Sequence, residues 1–144
     1  EILRLYLEYF SNMSSLFSEL SPENPSYKIY EDEHTFAFLD IFPTHIGHTL
    51  IVPKIEVDHF SDVPEPYYSA IFRTAKLLAP AIQKATDCKR ICTQFIGYEV
   101  PHCHYHLIPT DSIADISRNP MGKAEDMELK KMQEKILSFL SSDS

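Results

Sequence analysis

The stretch His102-Cys103-His104-Tyr105-His106-Leu107-Ile108 sets the reading of this chain. Histidine recurs at every second position, and residues i, i+2 and i+4 of a β-strand point to one face. Read as a strand, the stretch stands three imidazoles in a row about 6 to 7 Å apart, two strand rises each. Cys103, Tyr105, Leu107 and Ile108 are apolar and belong to a buried side. Imidazole changes charge closer to neutral pH than any other side chain, so such a row gathers acid, base, nucleophile and metal-ligand capacity. A single histidine on a strand is ordinary surface polarity. Three in strict alternation, in a chain with seven histidines, have no packing rationale.

Outward from this stretch, 144 residues and 44% hydrophobic content fit one domain around one core. A net charge of −8 argues against a nucleic-acid-binding face, because phosphate backbones select basic surfaces. Cys88, Cys92 and Cys103 are odd in number and lack a CxxC spacing, which predicts reduced thiols in a cytoplasmic setting. No run of about 18 apolar residues is present to span a membrane. The opening EILRLYLEYF lacks the basic start and long apolar run of a secretory signal. Gly47, Gly97 and Gly122 are the only glycines, so neither a P-loop nor a GxGxxG fingerprint can be written, and no GxSxG elbow occurs.

Ile2, Tyr6, Phe10, Met13, Phe17 and Leu20 recur at helical steps and predict an amphipathic helical segment over residues 1–20, ahead of a single domain over 21–144. Ser21-Pro22-Glu23-Asn24-Pro25 breaks the helix. Strands are expected at Tyr27–Glu31 and Thr35–Leu39, with Glu31-Asp32-Glu33 as the hairpin turn, and a third near His48–Val52. Pro64-Glu65 reads as a helix start. The helix buries Tyr68, Ile71, Phe72, Ala75, Leu78, Ile82 and Ala85, with a kink or break at Pro80. Strands follow at Ile91–Ile96 and Cys103–Ile108, and a last helix runs from Ala124 to Leu140. Hairpin-length connections cannot make parallel crossovers, so the sheet is antiparallel and the class α+β.

Two chemistries suit the histidine row. One is metal ligation by neutral imidazoles, although the outer pair of three on one strand lies about 13 Å apart by the same rise. The other is nucleophilic attack on phosphorus, in which a covalent phosphoramidate splits one hard step into two easier ones. His104, flanked by His102 and His106, is then the best-placed nucleophile. Asp40 also reads as a turn cap and His48 as a polar strand start.

The triad stretch resembles the signature of the histidine triad (HIT) family, H-φ-H-φ-H-φ-φ with φ apolar. Pro25–Asp32, Ala37-Phe38-Leu39-Asp40-Ile41 and Gly47-His48-Thr49-Leu50-Ile51-Val52-Pro53-Lys54 are similar to further blocks of this family in the same order, over about residues 14–110. The resemblance implies a HIT-like fold with a five-stranded antiparallel sheet, a long helix and terminal helices, in a homodimer that joins two sheets. It implies nucleotide hydrolysis through a nucleotidyl-histidine intermediate, with a nucleotide as substrate and no metal or other cofactor. By position, His104 matches the nucleophile, and His102 and His106 the residues that orient it and contact phosphate and leaving group. His48 matches the fourth family histidine, Asp40 the acid on the ribose hydroxyls and Ile41 a residue packing on the base. Phe17 and Leu20 fall where base-pocket residues are expected.

Many members carry Gly-Gln-Ser/Thr-Val before the triad. Here Gly97-Tyr98-Glu99-Val100-Pro101-His102 resembles instead a GLEVPHxHxH variant of some bacterial members, with backbone N–H groups near Glu99 and Val100 expected on the phosphate. The expected substrate is a nucleoside 5′-phosphoramidate, a purine one by preference. The alternatives are a dinucleoside polyphosphate, or a weakly catalytic nucleotide- or metal-binding module that takes zinc through His102, His104 and His106.

Overall fold

Asp32 begins the fold. Its carboxylate Oδ1 accepts the backbone N–H groups of His34 and Thr35, both at 2.8 Å, so the polar turn closes on its own side chain. The turn joins β1 (Lys28–Glu31) to β2 (Thr35–Leu39), and β3 (Thr49–Pro53) follows. Next come α1 (Tyr67–Thr86), β4 (Arg90–Phe95), β5 (Tyr105–Thr110) and α2 (Asp126–Ser142). This computed structural model describes residues 27–98, 101–117 and 119–142. The helical segment expected over residues 1–20 lies outside them.

The five strands form one antiparallel sheet in the order β1-β2-β3-β5-β4. Ala37, Leu39, Ile51 and Leu107 form a core with Ile71, Leu78 and Ile82 of α1 and Leu129 and Ile136 of α2. Burying each such side chain stabilises the fold by about 1.5–3 kcal/mol. No helix among the described residues is long and apolar enough to cross a membrane.

Three expectations are corrected. α1 runs unbroken through Pro80, which lies on its exposed face between the buried Leu78 and Ala81. The packing of those neighbours outweighs the one backbone hydrogen bond that proline cannot donate. Phe72, expected in the buried stripe, is 38% exposed, while Ala70 and Thr74 take the inward positions. The strand expected from Cys103 begins two residues later, at Tyr105. Cys103 donates its N–H to the Val57 carbonyl, at 2.6 Å, and not to a neighbouring strand.

Candidate functional site

Sheet register assembles the site. Phe38 pairs with Leu50, and Leu50 with His106. Side chains alternate along a strand, so Asp40, His48 and His106 fall on one face at the same end of three adjacent strands. The ladder continues one step past β2 and β3, where the Asp40 N–H donates to the His48 carbonyl at 2.8 Å. All three side chains are buried or nearly so. His48 Nε2 stands 2.9 Å from His106 Nδ1 and 3.8 Å from Asp40 Oδ2. The other Asp40 oxygen accepts the Phe42 N–H at 2.9 Å, which forms the turn after β2.

Hydrogen-bond partners settle the tautomers. The Thr44 N–H donates to His48 Nδ1 at 3.3 Å, so in neutral His48 the proton sits on Nε2. That proton is donated to His106 Nδ1, which leaves the His106 proton on Nε2. His106 Nε2 is itself buried, and no group among the described residues pairs with it. His104 stands against the His102 carbonyl, 2.7 Å from its Nδ1. A carbonyl only accepts, so His104 is protonated on Nδ1 and its Nε2 carries the lone pair. The rings of His104 and His106 are 4.9 Å apart between centroids.

Burial, with the added charges of His48 and His104, drives His106 down to about 2, so this ring is neutral at any ordinary pH. Burial also lowers His48, and the Asp40 carboxylate opposes that shift without reversing it. His102 is lowered by burial as well, and its Nε2 reaches the Pro53 carbonyl at 3.4 Å. The Cys103 thiol is pushed up to about 11, first by burial and then by Asp58. It is a small buried apolar group, as expected.

The three triad imidazoles therefore do not form an even row on one strand. His106 lies in β5, and His102 and His104 lie in the bend before it. His102, His104 and His106, the zinc set of the alternative reading, are not the residues whose ligand atoms cluster. Among the described residues, Asp40, His48 and His106 are the trio whose ligand atoms all lie within 4.8 Å of one another.

A cavity of about 340 Å³, within the usual range for small-molecule sites, opens over this row. Asp40, Phe42, His48, Gln94, His104 and His106 line it, and Tyr98, 95% exposed, stands at its rim. Ile41 and its neighbour Phe42 both belong to the core cluster, and Phe42 also lines the cavity. Phe17, Leu20, Glu99 and Val100 lie outside the described residues. Sequence reading missed Thr44, Phe42 and Gln94. Thr44 acts through its backbone, which no side-chain pattern reveals. Gln94 was findable only through its register opposite His106. His45 is half-buried, with its Nε2 3.9 Å from Asp115 Oδ1.

The sequence model of the HIT domain matches residues 21–113. The chain belongs to the histidine triad (HIT) family. It is similar to an uncharacterized HIT-like protein, MJ0866 of Methanocaldococcus jannaschii, at 36% identity over 94 residues that cover 62% of this chain and 73% of that one. It is likewise similar to adenosine 5′-monophosphoramidase HNT1 of Saccharomyces cerevisiae, 37% identical over 91 residues. That match covers 62% of this HIT chain but only 58% of HNT1. In structure, it matches a hypothetical histidine triad nucleotide-binding protein, ST2152 from Sulfolobus tokodaii, with a TM-score of 0.75. The match is 24% identical and covers 91% of this chain and 92% of the other, which establishes the shared HIT fold.

Proposed function

We propose that this HIT protein is a nucleotide hydrolase that cleaves the bond between the α-phosphorus of a nucleoside 5′-monophosphate, a purine one by preference, and an amine leaving group. The observation that carries this reading is the hydrogen-bond chain from Thr44 through His48 to His106, set beside the anchored His104. It aims one ring nitrogen with a lone pair and one N–H donor from neighbouring imidazoles. Nucleophilic catalysis at a phosphoryl group needs both.

In the first step, His104 Nε2 bonds to phosphorus and the P–N bond breaks. The leaving nitrogen keeps the electron pair and takes a proton from water. The His104 ring becomes a cation whose Nδ1–H still faces the His102 carbonyl, 2.7 Å away. In the second step, water or the hydroxide left by the first attacks phosphorus, and the Nε2–P bond breaks. The nucleoside monophosphate is released and His104 returns to its starting tautomer. His106, neutral throughout, donates its Nε2–H to a phosphoryl oxygen. Asp40 is assigned to the ribose hydroxyls by its family position.

The name of HNT1 supports the phosphoramidate as substrate. Three free cysteines suit a reducing, cytoplasmic compartment. We assign a homodimer joined along β4, an edge strand of the sheet beside the exposed Phe72 of α1. The test is AMP release from adenosine 5′-phosphoramidate, with and without chelator, beside His104→Ala. Chelator-resistant release that the substitution abolishes supports covalent catalysis by His104. Binding of AMP without release overturns it in favour of a binding module.

A further inference from the structure

A second cavity, of about 360 Å³, also reaches His104. Asp58, His59, Phe60, Phe95 and Cys103 line it, and none of these belongs to the lining of the first cavity. The two cavities meet at His104 and share Tyr98 at their rims. One holds Asp40, His48 and His106, and the other is aromatic with one carboxylate.

Two hydrogen bonds tie the wall of the second cavity to the triad. The Val57 carbonyl accepts the Cys103 N–H, and the Pro53 carbonyl faces His102 Nε2. Residues 54–60 are thus held against the bend that carries His102 and His104. Phe60 stacks on Phe95 with ring centroids 5.2 Å apart, and His59 lies 4.7 Å from Phe60 in the same measure. Phe95 is also stacked on Tyr105, with centroids 4.4 Å apart, so a further ring meets this cluster at the exposed part of Phe60 and at His59. Among the described residues, no Lys or Arg lines this cavity. The charge of Asp58 is felt at the triad: it opposes the burial that lowers His102 and adds to the burial that raises Cys103.

We propose that this second cavity is the leaving-group subsite, and that it selects amines whose substituent combines an aromatic ring with a distal cation. The inference rests on the hydrolase reading above and adds to it the class of amine. An α-phosphorus bonded to His104 has its nucleotide half over Asp40 and His48. Its departing amine then lies toward Phe60 and Asp58. The ring of the substituent packs against Phe60 and His59, and its cation faces the Asp58 carboxylate.

The test uses three adenosine 5′-phosphoramidates of 2-phenylethylamine, carrying a para-aminomethyl, para-methyl or para-carboxylate group. In the parent protein, kcat/KM is expected to fall in that order, with roughly a three- to tenfold spread between the ends, the scale of partly exposed charge pairs. Asp58→Asn narrows the spread and Asp58→Lys reverses the order. Phe60→Ala lowers all three relative to the unsubstituted phosphoramidate. An order that is the same in the parent and in Asp58→Lys overturns the subsite. If no probe turns over, the hydrolase reading fails, and equilibrium binding of the same three compounds decides the subsite separately. A ranking that Asp58→Lys reverses supports it, and equal binding overturns it.

Discussion

His48 and His106 lie 58 residues apart in sequence and are joined through Nε2 and Nδ1 at 2.9 Å. Because Thr44 occupies the other nitrogen of His48, the direction of this bond is set, and with it the tautomer of His106. His48 is thus a positioning residue that acts through His106. His48→Ala is expected to lower kcat/KM on adenosine 5′-phosphoramidate by roughly 10- to 100-fold, the scale seen when an orienting partner is lost. The loss should fall mainly on kcat. His48→Gln, whose amide N–H can still donate, should recover part of it. Nitrogen-15 spectra of the His106 ring provide the readout that distinguishes positioning from mere structure. They should show protonated Nε2 in the parent and a tautomer mixture in His48→Ala.

Stability should fall on acidification. His106 stays neutral in the fold down to about pH 2, whereas in the unfolded chain it takes up a proton near 6.5. Below 6.5 the unfolded state therefore binds more protons, and stability is lost progressively as pH falls from 6.5 toward 2. His48 and His102 are shifted in the same direction and add to the loss. Each such group costs up to about 1.4 kcal/mol per pH unit inside its window. Urea midpoints measured at pH 7.5 and 5 should differ in that direction, and by less in His106→Asn.

Gly47 is required by both backbone and packing. Its φ is +107°, and an added Cβ would lie 2.5 Å from Thr86 Cγ2 at the end of α1. Gly47→Ala is expected to destabilise by about 1–3 kcal/mol, visible as a drop in Tm of several degrees. Activity should also fall, since the strained turn immediately precedes His48.

The β4 edge offers a direct check on assembly. Replacing Phe72, which meets Phe95 and Tyr105 edge-on beside that edge, should turn a dimer into a monomer in sedimentation equilibrium. Phe72→Asp is the informative change, because a carboxylate in a dimer seam is desolvated without a partner. A monomeric parent at all concentrations would remove the dimer assignment.

Local pattern was enough for the elements that carry a strong period or turn chemistry. Thr35–Leu39 is a strand as expected, the Asp32 turn closes on its own carboxylate, and Leu129 and Ile136 mark the buried stripe of α2. The alternation of His102, His104 and His106 carried the resemblance to the HIT family, which the domain match bears out. It misjudged the geometry. The strand starts at Tyr105, since the Cys103 N–H is taken by Val57, a partner 46 positions away that no local rule can see. Pro80 was misread for a related reason: burial on both sides of it outweighs a local breaker.

What the sequence held was the inventory of side chains and their local periods, both short-range properties. Which of them meet was a matter of long-range register. The β2–β3–β5 ladder places Asp40, His48 and His106 together, and the backbone of Thr44 sets their protons. The cavity beyond His104 likewise exists because residues 54–60 fold back onto the triad through two carbonyls. Hydrogen bonds to backbone atoms leave no mark on side-chain identity, so the tautomers and the second cavity emerge only from the folded chain.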